Sequence, residues 1–136
     1  MKLATCLLCS LLLASTAHAV EGWQEQVSAA TGDQAQTQAV EVRAGSYFFE
    51  PNRITVKANT PVELRVRKAP GMAPHNFVID APQAGVQVKE ELGTEPITIR
   101  ATFSAPGEYP FFCGKKPPFL KAHRARGMEG TIVVTE

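Results

Sequence analysis

A cysteine, a histidine and a methionine stand close together near the end of this chain, in the stretch CGKKPPFLKAHRARGMEG, residues 113–130. A second histidine, His75, opens a β-like run far upstream, in PHNFVID. Taken one at a time, each residue has an ordinary explanation. Cys113 can be a buried inert thiol, Met128 core filler, His75 a hydrogen-bonded histidine at a strand edge. His123, set among Lys121, Arg124 and Arg126, can be a solvated loop residue. Taken together, they match the donors of a copper site. Two imidazoles and a thiolate in a plane, with a distant thioether on the axis, suit copper in both oxidation states. Structural zinc instead takes Cys and His in sets of four without methionine.

The spacing allows such a site. Nine residues separate Cys113 from His123, and four separate His123 from Met128. Nine extended residues reach ~30 Å, so the segment must fold back on itself. Pro117 and Pro118 stiffen it and reduce the entropy lost on closing. Phe119 and Leu120 are apolar and are expected to lie against the site and keep water off the sulfur. Gly127 and Gly130 let the backbone turn sharply on either side of Met128. The same loop carries Lys115, Lys116, Lys121, Arg124 and Arg126, with no acid among residues 113–126. This is either a solvated loop or a docking surface that steers an acidic partner.

Such a loop needs a rigid support, and the remaining sequence describes one. The first residues do not belong to it. Lys2, a mostly apolar run over residues 3–14 and Ala17-His18-Ala19 read as a secretory signal peptide, residues 1–19, cleaved after Ala19. The apolar run is shorter than the roughly 20 residues that span a bilayer, and no membrane anchor is expected. Cys6 and Cys9 leave with the leader, so Cys113 is the one cysteine of the mature chain and no internal disulfide can form. The whole chain has 14 Lys plus Arg against 13 Asp plus Glu, and loss of Lys2 leaves the mature protein near neutrality. Bulk charge therefore gives no case for nucleic-acid binding. Residues 20–38 are polar, with one tryptophan, Trp23, and read as a flexible lead-in or a marginal helix.

From residue 39 to residue 136 the pattern is that of short strands between turn residues. Val40 and Val42, Ile54 and Val56, then Val62, Leu64 and Val66 alternate with polar neighbours at a period of two. Ile97, Ile99, Ala101 and Phe103 do the same. Residues 75–79, 109–113 and 131–135 also read as strands, and Tyr47-Phe48-Phe49 forms an aromatic cluster. Residues 81–95 are irregular, with room for a short helix or a lone strand. Seven or eight short strands without a long helix predict an all-β sandwich with Greek-key links.

PHNFVID, APGEYPFFC, and a histidine followed by four residues, methionine, one residue and glycine before a terminal strand resemble the cupredoxins, the type 1 copper proteins, over residues 39–136. The resemblance implies a cupredoxin-like Greek-key sandwich with one type 1 copper ion at one end. It implies His75, Cys113, His123 and Met128 as ligands. It also implies that Asn76 hydrogen-bonds across to the Cys113 loop. The long Cys113-to-His123 gap is similar to that of copper nitrite reductases and of exported cupredoxins linked with copper tolerance. The expected function is single-electron transfer between Cu(I) and Cu(II) in the periplasm, with a redox partner protein. The alternative is copper binding for tolerance or sequestration without a dedicated redox partner. An enzyme is not expected: a second copper centre needs further histidines, and a cysteine hydrolase needs Cys113 free beside a histidine base.

Overall fold

A computed structural model describes Val27–Ala29 and residues 37–136. The stretch read as a signal peptide, residues 1–19, and Trp23 lie outside the described residues. Among the described residues, ten strands form in chain order: β1 (Val27–Ala29), β2 (Gln38–Gly45), β3 (Phe48–Glu50), β4 (Arg53–Lys57), β5 (Val62–Lys68), β6 (His75–Ala81), β7 (Val86–Leu92), β8 (Ile97–Ala101), β9 (Gly107–Phe112) and β10 (Glu129–Thr135). They build two sheets, one of order β1-β4-β10-β9-β6-β7 and one of order β3-β2-β5-β8. Neighbours that are distant in sequence, such as β4 with β10 and β2 with β5, pair in parallel, and the chain crosses between the layers, as from β3 to β4 and from β4 to β5.

The alternating residues behave as their period demands. Val40, Val42 and Ala44 of β2, Leu64 and Val66 of β5, and Ile132 and Val134 of β10 are buried, while Glu41, Arg43 and Arg65 face outward. Three aromatic rings, Phe49, Phe77 and Phe111, meet in the middle with centroids 5.0–5.3 Å apart. They are the bulkiest part of the core near the loop end and stack or meet edge to face as aromatic rings prefer.

The strand count exceeds the expected seven or eight for three local reasons. The irregular stretch at residues 81–95 resolves into a one-turn 3-10 helix, Pro82–Ala84, and the seven-residue strand β7. β7 was hard to read because it is an edge strand whose middle residues, Lys89, Glu90 and Glu91, are not buried. The aromatic cluster yields the short β3, with Tyr47 left in the preceding turn. Val27–Ala29 pairs in parallel with Arg53–Thr55 of β4, so part of the stretch read as a lead-in extends a sheet. Gln38 likewise belongs to β2, where it is buried and its side-chain oxygen accepts the Lys57 amide at 2.8 Å.

Candidate metal centre

The centre continues the core face past the ends of two strands. Phe77 and Ile79 of β6 point inward, and period two makes His75 do the same. Phe111 of β9 points inward, and the same parity brings in Cys113, just beyond the strand. Phe77 and Phe111 are thus the floor on which His75 and Cys113 stand. The loop between Gly114 and Met128 supplies the other wall. His123 is fixed there by its backbone: its amide donates to the Lys115 carbonyl at 2.8 Å, and its carbonyl accepts the Arg126 and Met128 amides at 3.0 and 3.1 Å. Met128 is tied to the cysteine as well, because the Cys113 amide donates to the Met128 carbonyl at 3.0 Å. Met128 is fully buried.

Three donor atoms converge. His75 Nδ1 and His123 Nδ1 lie 3.1 Å apart. The Cys113 Sγ lies 3.9 Å from the first and 3.5 Å from the second. A metal bonded to nitrogen at ~2.0 Å and to sulfur at ~2.3 Å needs donor pairs about 3–4 Å apart. All three side chains are buried, and among the described residues they form the one cluster of this kind.

The imidazoles also have the protonation that a cation needs. Burial, then the His123 ring and Lys68, lower the His75 pKa from 6.5 to about 4. Burial, then Arg126 and Lys115, lower that of His123. Both rings are therefore neutral near pH 7, with lone pairs available to a metal. Two imidazoles and a thiol, with a buried methionine bound to both neighbours through its backbone, suit copper better than zinc.

Asn76 sits where the family resemblance puts it to use. Its side-chain oxygen accepts the Gly114 amide at 2.7 Å. The β6–β9 register pairs Val78 with Phe112, which sets Asn76 opposite Gly114, beyond the last paired residues. The side chain takes over where the backbone ladder stops.

One expectation for the loop is corrected. Phe119 and Leu120 do not cover the sulfur. Leu120 donates to the Pro117 carbonyl at 3.3 Å and closes a turn in which Phe119 has φ +61°. Phe119 is left fully exposed and Leu120 more than half exposed. The prolines that stiffen the segment hold its tip away from the body. The five cations are also less free than their run suggests. Lys115 pairs with Glu91 at 2.7 Å, and Arg124 with Glu129 at 2.7 Å. Arg124 and Arg126 lie over the rings of Phe112 and Tyr47. Among the described residues, Lys116 and Lys121 have no acidic partner.

Tyr47 is the residue that sequence reasoning passed over. Its ring meets the His123 ring edge to face, with centroids 5.0 Å apart. The only sequence signal was its place in an aromatic triplet. Nothing local says that the β2–β3 turn reaches the ligand loop.

Known proteins resemble this chain. The model of the cupredoxin-like domain family matches residues 3–134. A plastocyanin of Nostoc punctiforme is 31% identical over 102 residues, covering 66% of each chain. The chloroplastic plastocyanin of Hordeum vulgare is 33% identical over 107 residues, covering 74% of this chain and 63% of its own. The chain thus spans about two thirds of the length of these relatives. Among solved structures, reduced auracyanin from Roseiflexus castenholzii superposes with a TM-score of 0.57 at 22% identity, over 72% of this chain and 97% of that one. The metal-binding domain of the Cu(I)-exporting P-type ATPase of Streptococcus pneumoniae D39 gives 0.62 at 19% identity, over 84% and 100%. These last two likenesses establish the fold. With the family model spanning nearly the whole chain and the donor set fitting the metal, the chain belongs to the cupredoxin family, and its cofactor is one copper ion.

Proposed function

We propose that this chain is an exported, periplasmic single-electron carrier whose copper would be held by His75, Cys113, His123 and Met128. When bound, copper would supply the one-electron chemistry between Cu(I) and Cu(II). The chain's own residues do the rest. β6, the end of β9 and the Lys115–His123 backbone bond fix the donors, so little has to rearrange when charge changes. Phe77, Phe111 and the buried Met128 exclude water from the thiol. The observation that carries the reading is the approach of two neutral imidazoles and a thiol to within 3.1–3.9 Å on a rigid sheet end.

The partner is a redox protein, and an acidic docking face on it would suit Lys116 and Lys121, the two loop lysines without an acidic neighbour among the described residues. No catalytic turnover is assigned to the chain. A second reading, copper sequestration or tolerance without a redox partner, draws support from the nearly complete burial of His123, which leaves little ligand edge for electron exchange. Voltammetry of the copper-loaded mature protein separates the two. A reversible one-electron wave with fast exchange supports the carrier. Sluggish exchange, together with copper sensitivity of a deletion strain, supports sequestration.

A further inference from the structure

His123 is only 1% exposed although it lies on a surface loop, and the Tyr47 ring packs against it. Tyr47 sits in the two-residue turn between β2 and β3, far from the ligand loop in sequence. Its ring stands at 86° to the imidazole, with centroids 5.0 Å apart. The backbone there has φ +67°, a left-handed conformation in which a bulky aromatic residue is an outlier and glycine is at ease. An outlier of this kind is kept where the surroundings hold it in place. Here the holder is identifiable. The Arg126 guanidinium lies over the Tyr47 ring at 3.8 Å from its centroid. Arg126 ends the one-turn 3-10 helix Arg124–Arg126 that follows His123, and its amide donates back to the His123 carbonyl at 3.0 Å. Residues three apart on such a turn eclipse one another, so His123 and Arg126 address the same ring.

We propose that Tyr47, clamped by Arg126, is a positioning residue that closes the metal centre to solvent and fixes the His123 ring. A docking partner then meets Tyr47 and Arg126 rather than the imidazole edge. The inference rests on the reading of His123 as a ligand for its consequence, but the cover itself exists without metal, so the two can fail separately.

The test is carbethoxylation of the metal-free protein by diethylpyrocarbonate, with rates read separately for His75 and His123 by peptide mass spectrometry. Tyr47→Gly removes the ring and suits the left-handed backbone, so the turn itself is not strained by the change. Its His123 is expected to react about tenfold faster than in the parent protein, with His75 changed less than about twofold, as local opening without global unfolding requires. Tyr47→Phe keeps the ring and should match the parent protein. Arg126→Ala, an exposed change, should speed His123 by a smaller factor in the same direction. An unchanged His123 rate in both Tyr47→Gly and Arg126→Ala overturns the proposal. So does an equal rise at His75 and His123, or a Tyr47→Phe protein as reactive as Tyr47→Gly. In the copper-loaded protein, Tyr47→Gly should also alter the EPR spectrum while Tyr47→Phe leaves it as in the parent protein.

Discussion

The Asn76 side-chain oxygen accepts the Gly114 amide at 2.7 Å and so joins the strand that carries one imidazole to the loop that carries the other. Asn76 is 2% exposed, which leaves no water to replace the bond. Asn76→Ala strands the buried Gly114 amide. It is expected to lower stability by about 1–3 kcal/mol in urea denaturation. Copper affinity, measured by competition with a chelator, should fall as well, because the Cys113 side of the centre loses its tie to His75.

Met128 separates packing from ligation. Leucine has nearly the same volume, and volume-conserving core exchanges usually cost less than about 1.5 kcal/mol. Met128→Leu should therefore leave the denaturation midpoint close to that of the parent protein while removing the thioether. A changed visible spectrum and reduction potential at nearly constant stability is the expected outcome. Identical spectra would show that Met128 only fills space.

The histidines set the acid limit of the metal-free protein. In the unfolded chain His75 holds a proton below about pH 6.5, whereas in the folded protein burial, His123 and Lys68 hold its pKa to about 4. Between these values unfolding takes up a proton, so stability rises with pH across this window and falls as the pH drops through it. The slope from one such group reaches about 1.4 kcal/mol per pH unit. His123, also lowered, adds in the same direction. Urea midpoints of metal-free protein from pH 4 to 7 check this, and His75→Gln should flatten the curve.

Gly130 lies in β10 two residues after Met128, where the strand passes against its neighbours. A Cβ at this position would run into the Asn52 carbonyl oxygen and the Phe111 ring. Gly130→Ala is expected to lower stability by about 1–3 kcal/mol, the usual cost of overpacking a filled core. Because Phe111 is part of the floor under Cys113, the copper spectrum should change together with the midpoint.

Much of this arrangement was legible in the residues. Period-two alternation in Val62, Leu64 and Val66 and in Val40 and Val42 reports a half-buried strand directly, because one face must be apolar. The donor set was legible because its residue types are scarce and clustered. The edge strand β7 was not, since the alternation of Val86 and Val88 with Gln87 and Lys89 stops at the exposed Glu90 and Glu91. The position of Phe119 was also lost to pattern reading. An apolar residue is expected inside, yet the turn over Pro117 and Pro118 fixes it outside. Tyr47 escaped because its role depends on a contact between two turns 76 residues apart, as the positions of Tyr47 and His123 show.

The most direct test is Cu(II) titration of a protein spanning residues 20–136 beside Cys113→Ser, followed by visible and EPR spectroscopy. One equivalent of copper should produce an intense sulfur-to-copper absorption band and a narrow copper hyperfine splitting, both lost in Cys113→Ser. A colourless parent protein, or the same spectrum with and without the thiol, would contradict a copper centre built on Cys113.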